Sequence, residues 1–446
     1  MAVKVSVYLL FIQSIKFTAN LPFLFGIFAE ISEQFQKQPS LYMKILHTAD
    51  WHLGKQLHKY GLDEDHRLFL EWLAQTIKER KIDLLLVSGD VFDTANPSNH
   101  ALAQYYGFLK KLMGADCQVV VTGGNHDSPG VLNAPRELLQ FLDIKIVGNV
   151  PENIQDELLH IVSPNGEVIV AAVPYLREAD LRKSVSGEGY EDRLSALRQG
   201  IRGHYEQLAN LKDEYFARVP SIAMGHLYVN GASISESERD IHVVGGEAAF
   251  SAEFFPSGFD YIALGHIHKP QRISNSDFIR YSGSPIPLSF SERDDSKYVL
   301  ELTLENNKIN KVEALPVPAF RELRCFTGNL DEVEAALKAY TFEALLPSYV
   351  EVHVTEPFAD PQKELYFSYL LREFDNAPFR IIKPRLSFEN RTKGADELFM
   401  TGTSIQDLSP REVFQQRLAS ENLDDKTQGL LAEAFEELWR EVAEQN

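Results

Sequence analysis

Five short segments of this chain end in side chains that bind divalent metals. They read Asp50-Trp51-His52, Gly89-Asp90-Val91-Phe92-Asp93, Gly124-Asn125-His126-Asp127, Gly225-His226 and Gly265-His266-Ile267-His268. Such a mixture of carboxylate, amide and imidazole groups suits an ion such as Mn²⁺. One segment alone would carry little weight. All of them in this order, each after a β-like run, point to a single dinuclear site. Two divalent ions sharing a carboxylate are a general means of hydrolysing phosphate esters. The pattern therefore implies phosphoester hydrolysis.

The residue types suggest roles. Asp50 and His52 are separated by one residue, so both can reach one ion from a strand end. Asp90 follows an apolar run and a glycine, whose backbone freedom permits a tight turn, so its carboxylate is placed to bridge. We expect Asp50, His52, Asp90 and His268 on one metal, and Asp90, Asn125, His226 and His266 on the other. The ions would sit roughly 3.5–4 Å apart about an activated water. His126 follows Asn125 directly, so the two side chains should diverge and His126 should face the substrate. There it could donate to the phosphate or protonate the leaving oxygen. Asp93, shortly after Asp90, is the candidate to orient and charge that imidazole. Asp127 reads more simply as a turn or helix cap. His47, His58, His66, His100, His160, His204, His242 and His353 read as ordinary core or surface histidines.

The elements that must hold these groups alternate between strand and helix. Apolar patterning predicts strands at 44–48, 83–88, 118–122 and 144–147, with helices over 62–80, 99–113 and 133–142. Further strands are expected at 158–162, 168–173, 221–224, 261–264 and 298–304, and a long charged helix at 190–215. Strand–helix repetition at this spacing implies a layered α/β fold, two sheets face to face with helices outside. Ligands in such folds bind beyond the carboxyl ends of the strands, where the first three segments lie. After Pro316-Val317-Pro318 the pattern restarts as a small α+β unit: strands at 321–326, 349–354 and 379–386, helices at 330–340 and 361–374. A polar stretch at 388–408 precedes Ser409-Pro410-Arg411-Glu412, a capping box with proline at the first helical position. Two amphipathic helices follow. Leu431, Phe435, Leu438 and Val442 form one stripe, which suits docking on a partner or, alternatively, packing on their own domain.

The bulk properties set bounds. A chain of 446 residues, 44% hydrophobic and 24% charged, has the composition of an ordinary globular protein of two or three domains. Its two cysteines, Cys117 and Cys325, form no CxxC pair, which excludes a disulfide framework or zinc ribbon and suits a reducing cytoplasm. The net charge of −20 runs against duplex binding, so a DNA substrate would need a local basic surface or a basic partner. Residues 1–42 hold two apolar runs broken by Gln13, Ser14, Lys16, Thr18 and Asn20. No stretch of about 18 uninterrupted apolar residues is present for a membrane span. Met43 opens the first strand, so residues 1–42 read as a non-native extension and the domains as 43–318, 319–390 and 391–446.

Longer segments carry a resemblance. Ile45–Gly54, Gly89–Thr94, Gly124–Ser128, Tyr261–His268 and above all Tyr281-Ser282-Gly283-Ser284-Pro285-Ile286-Pro287-Leu288-Ser289-Phe290 resemble the bacterial SbcD family of nuclease subunits. That family lies within the calcineurin-like metallophosphoesterase superfamily. The resemblance runs from Met43 to about Glu444, and every family ligand position is filled. It implies a four-layer α/β/β/α sandwich with a smaller α+β capping domain that helps bind DNA, and a C-terminal helix pair. It also implies a Mn²⁺-dependent homodimer bound to an SbcC-like coiled-coil ATPase within a heterotetramer, with no membrane. The activities implied are ATP-dependent 3′–5′ exonuclease action at double-stranded DNA ends and endonuclease action on single-stranded or hairpin DNA, in recombination, replication and repair. The helices of 409–442 would attach to the ATPase. The enzymatic rival is a phosphatase or phosphodiesterase acting on a small phosphoester. Protein phosphatases of the superfamily carry arginine where this chain has Thr94. The non-enzymatic rival is a DNA-end tether, which the intact ligand set and His126 oppose.

Overall fold

The computed structural model describes residues 42–181, 189–233 and 250–390, with seven positions between 414 and 435. The expected N-terminal extension, apart from Tyr42, and most of the 391–446 segment thus lie outside the described residues. Strands are numbered along the chain. β1 (Tyr42–Thr48), the short β2 (Gln56–Leu57) and β3 (Tyr60–Gly61), β4 (Leu84–Ser88), β5 (Gln118–Thr122) and β6 (Ile144–Val147) come first. β7 (Leu158–Ser163), β8 (Gly166–Ala171), β9 (Ser221–His226), β10 (Tyr261–Gly265), β11 (Gln271–Arg272) and β12 (Ile279–Tyr281) follow, then β13 (Tyr298–Glu305) and β14 (Lys308–Pro316).

Twelve of them form two six-stranded sheets, ordered β14-β13-β1-β4-β5-β6 and β11-β12-β10-β9-β8-β7, and β2 pairs with β3 alone. β1, β4, β5 and β6 run parallel, as do β8, β9, β10 and β12; β13 and the edge strands β14, β7 and β11 are antiparallel to their neighbours. The continuous run of β4 is buried at every residue, as a strand covered on both faces requires. Met43, Ile45, Leu84, Leu86 and Val120 of one sheet share a core cluster with Val168, Val170, Ile222, Met224 and Ala263 of the other. That cluster is the layer between the sheets.

Helices cover the outside. α1 (Asp63–Arg80) and α2 (Asn99–Lys111) lie beside the first sheet, and Trp51 meets Phe69 and Phe108 edge-on between them. The helix expected over 133–142 is instead two short ones, α3 (Pro129–Asn133) and α4 (Arg136–Gln140). Pro135 stands between them, and proline cannot continue a helix's hydrogen bonds. The long α5 (Tyr190–Phe216) covers the second sheet, with Tyr205 and Leu208 packed among Ala171, Ala223, Ile262 and Leu264. β14 escapes the apolar patterning, because its polar composition conceals it. Asn306-Asn307, both at positive φ, close the β13–β14 hairpin, the conformation a two-residue type I′ turn demands.

The chain divides into two compact units, with the first change at Leu323/Arg324 and residues 343–347 returning to the first. The expected boundary at 318/319 lies nearby. The second unit holds a three-stranded sheet, β15 (Arg321–Gly328), β16 (Leu346–Phe358) and β17 (Arg380–Asn390), with α6 (Leu330–Ala339) and α7 (Pro361–Glu373). Leu330, Val333 and Leu337 of α6 meet Val350, Val352, Val354, Phe367 and Leu370 in its core. α6 opens on a reciprocal capping box between Asn329 and Glu332. Of the expected C-terminal helices, Phe414 and Phe435 are described as helical, their rings stacked 4.0 Å apart. No helix among the described residues is long and apolar enough to cross a membrane.

Candidate metal centre

Every sequence-derived metal ligand lies at or just beyond the carboxyl end of a parallel strand. Asp50 and His52 follow β1, Asp90 follows β4, and Asn125 follows β5 with His126 beside it; His226 ends β9, and His266 and His268 follow β10. The two sheets bring these ends together. Ser88 Oγ donates to the Ala263 carbonyl, and His226 Nδ1 lies 3.0 Å from the Ser88 carbonyl. A Cβ on Gly265 would lie 1.9 Å from that same carbonyl oxygen, so the closure needs glycine. Gly265→Ala is therefore expected to destabilise the fold by about 1–3 kcal/mol or more, as overpacking does. Thermal melting of the purified variant checks this; a melt coincident with wild type would show that the sheet ends have room to spare.

The loops are held in unusual conformations. Asp50, His52, Asp90 and His266 have φ of 53°, 47°, 50° and 99°. Such left-handed backbone is costly for residues other than glycine and clusters at functional sites. The strain is offset by hydrogen bonds between the loops. Asp50 N and His52 N donate to the Gly89 and Asp90 carbonyls at 3.1 and 3.0 Å, and His266 N donates to Asp50 Oδ1 at 2.8 Å.

The side chains converge. Ligand atoms of Asp50, His52 and His268, and of Asp50, Asp90 and His226, lie within 4.8 Å of one another. Asp90 Oδ2 is 3.4 Å from His52 Nε2 and 3.3 Å from His226 Nε2. One oxygen thus stands between the two expected ligand sets, as bridging requires. Asn125 Oδ1 lies 2.9 Å from His226 Nε2 and 3.1 Å from His266 Nδ1. Burial pushes the Asp50 carboxyl up to about 6 and the His52 imidazole down to about 4. Burial also opposes charge on His226, but the adjacent Asp90 carboxylate outweighs it and lifts that group to about 10. Asp90 itself is held well below the usual carboxylate range: burial acts against its charge, and His226, with His52 and His126, more than compensates.

The donor set fits a cation. His52 Nδ1 is 3.2 Å from Asp93 Oδ1, and His268 Nδ1 is 3.2 Å from Glu292 Oε1. With each Nδ1 proton on a carboxylate, both Nε2 lone pairs face one another across 3.2 Å. Neutral lone pairs repel at that distance, and a positive ion against both removes the repulsion. Asp50 Oδ2 is buried without a hydrogen-bond partner, and a buried carboxylate oxygen of this kind calls for a cation.

Asp93 differs from expectation. Its carboxylate meets His52 and, at 3.0 Å, Lys55 Nζ rather than His126. The contact with His126 comes from its main chain: His126 Nδ1 donates to the Asp93 carbonyl at 2.8 Å. The reason is local pairing. Leu53 and Phe92 form a parallel bridge and Asp93 N donates to the Leu53 carbonyl, which lays the side chain of Asp93 beside His52. His126 N donates to Asp90 Oδ1 at 2.9 Å, and its ring lies edge-on to His52 with centroids 4.8 Å apart.

Other supporting residues escape the sequence reading or exceed the role it gives them. Asp127 is more than a local cap: its buried carboxylate accepts from Val91 N, Phe92 N and Gly124 N and so ties the Asp90 loop to the Asn125 loop. His66 Nε2 lies 2.8 Å from the Trp51 carbonyl, between Asp50 and His52; burial lowers its pKa to about 4, so it serves as a neutral brace. His47 is buried against Tyr261, the ordinary core role expected of it. Glu292 has no recognisable motif of its own. The one signal for it is its place just after the Tyr281–Phe290 segment.

Two protein families match the chain. Residues 43–270 match calcineurin-like phosphoesterase, and residues 319–422 match the type 5 capsule protein repressor C-terminal domain. The SbcD subunit of nuclease SbcCD from Escherichia coli strain K12 is 35% identical over 400 residues, which cover 88% of this chain and 97% of that protein. The SbcD protein of Rhodobacter capsulatus is 34% identical over 308 residues, 66% of this chain and 75% of its own. That of Bacillus subtilis is 36% identical over 266 residues, 58% and 65%.

Proposed function

Because the chain belongs to the SbcD family of calcineurin-like phosphoesterases, we propose that it is the DNA-cutting component of an SbcCD-type nuclease. As a family member it is a metal-dependent phosphodiester hydrolase with an SbcC-type protein for a partner. The finer reading rests above all on one observation: Asp90 Oδ2 stands within 3.4 Å of imidazoles from both sheets. In this reading Asp50, His52, Asp90 and His268 hold one divalent ion and Asp90, Asn125, His226 and His266 the other, with Mn²⁺ the preferred metal. When bound, the ions would supply Lewis-acid activation of water and neutralise phosphate charge.

The protein's own residues do the rest. Asp93 and Glu292 hold His52 and His268 with Nε2 turned inward. Asp127 keeps the Asp90 and Asn125 loops in register. His126, anchored through Nδ1 on the Asp93 carbonyl, leaves Nε2 for the substrate, where it would pass a proton to the leaving oxygen. The substrate class is the phosphodiester backbone of double-stranded DNA ends, cut 3′ to 5′ under the control of the partner's ATP, and of single-stranded or hairpin DNA, cut internally. The second unit serves as the cap on DNA. The assembly is a homodimer of this chain within a heterotetramer, and the coiled-coil ATPase contributes positive surface to offset the charge of −20.

Cleavage of linear duplex and hairpin DNA with Mn²⁺, run beside p-nitrophenyl phosphate, tests the reading. DNA cleavage is expected. Turnover of the small ester alone would move the assignment to a phosphatase. Truncation after Asp407 is expected to abolish co-purification with the coiled-coil ATPase yet leave intrinsic endonuclease activity nearly unchanged. Leu431→Glu should mimic the truncation. Leu431 is helical and 42% exposed, so the change is tolerated in the free chain, but a charge there would be buried unpaired at an interface. Normal binding of the ATPase by the truncated chain would sink the docking role.

A further inference from the structure

Behind His268, Glu292 is the centre of a buried polar network. Glu292 is wholly inaccessible and Lys297 nearly so, at 8%. Lys297 Nζ donates to Glu292 Oε2 at 2.7 Å, to Ser284 Oγ at 2.8 Å and to the His268 carbonyl at 3.1 Å. These three bonds use all three ammonium donors. Glu292 Oε2 also accepts from Ser284 Oγ and from Leu288 N, at 3.1 and 3.2 Å. Its Oε1 accepts from Ser289 Oγ at 3.1 Å and faces His268 Nδ1 at 3.2 Å.

The geometry points to Glu292, backed by Lys297, as the positioning pair that fixes the tautomer of His268 and thereby sets the affinity of one metal position but not the other. The inference rests on the dinuclear reading above and goes beyond it by naming what tunes one of its halves.

A buried ion pair is expensive, and replacing one with apolar groups is often neutral for stability. Its retention here calls for another explanation, and the contacts supply one. An ionised carboxylate on Nδ1 keeps the proton there and leaves Nε2 as the donor atom; such partners of metal-bound histidines typically matter 10–100-fold for affinity. Lys297 donates to the carboxylate and to the His268 carbonyl alike, so ring and backbone are fixed together. The Tyr281–Phe290 segment now has a physical purpose: its Ser284, Leu288 and Ser289 wrap the carboxylate. The other metal position has different supports. His226 Nδ1 leans on the Ser88 carbonyl, a neutral acceptor in place of a carboxylate.

The test is calorimetric titration of the full chain, prepared metal-free, with MnCl₂. Wild type should show two binding events. Glu292→Gln should weaken one of them by about 10–100-fold and leave the second unchanged. Because that variant strands the Lys297 charge, Glu292→Gln with Lys297→Met is measured in parallel; it leaves no buried unpaired charge and should melt near wild type while showing the same selective loss. A merely structural role would lower the melting temperature and weaken both events alike, which would overturn the inference, as would two events of wild-type affinity in the double variant. Fewer than two events in wild type would instead overturn the dinuclear reading and this inference with it.

Discussion

Asp90→Ala is expected to reduce metal-dependent DNA cleavage to background while the chain stays folded. Asp90 Oδ2 is the one carboxylate oxygen among the described residues within 3.4 Å of imidazoles from both expected ligand sets. Alanine removes the proposed shared ligand and much of the negative charge that would offset two divalent cations. The cost to the fold is smaller, because Asp127 still accepts from Val91 N and Phe92 N and keeps the two loops joined. What is lost there is the acceptor for His126 N. Asp90→Asn restores that acceptor but not the charge, so it should match alanine in activity and exceed it in stability. Titration with Mn²⁺ would show at most one weakened binding event in either variant. Two unaltered events would remove Asp90 from its bridging place.

For His126→Gln the expected result is a loss of roughly 10²–10⁴-fold in cleavage rate, the usual contribution of general acid–base catalysis, with both Mn²⁺ binding events retained. The geometry separates this residue from the ligands. Its Nδ1 is committed to the Asp93 carbonyl and its ring sits beside His52. Glutamine can still donate a hydrogen bond to a phosphate, so binding should suffer less than turnover. DNA whose leaving oxygen is replaced by sulfur needs no proton at that step. On such a substrate the variant should recover most of the lost rate. A variant that loses a metal ion would make His126 a ligand, and one that fails to recover would deny it the proton.

Much of this site was legible in the residues because its chemistry is local. Asp, Asn and His are among the few side chains able to hold such an ion, and a strand running into a glycine turn is visible as an apolar run followed by a short motif. Asp50, His52, Asp90, Asn125, His226, His266 and His268 could therefore be named as candidate ligands without coordinates, and the structure sets them at adjoining strand ends. The alternation of strand and helix likewise marks a layered fold, since each element must bury one face. The limits were also physical. One helix became two at Pro135, and β14 was hidden because an edge strand needs little apolar patterning when one side is wet.

Only the tertiary structure could decide which group supports which. Asp93 lies as close to Asp90 in sequence as a partner of His126 would, yet the Leu53–Phe92 bridge turns its carboxylate onto His52 and leaves the main chain for His126. Glu292 stands 24 residues after His268, and the hydrogen bond between them forms across a packed strap that no local pattern reveals. Asp127 looked like a turn residue and proves to be a tie to a loop 36 residues earlier. Residue type and strand position determine what can bind a metal. Orientation, charge state and tautomer depend on neighbours distant in the chain, and those neighbours are fixed only when two sheets close on one another.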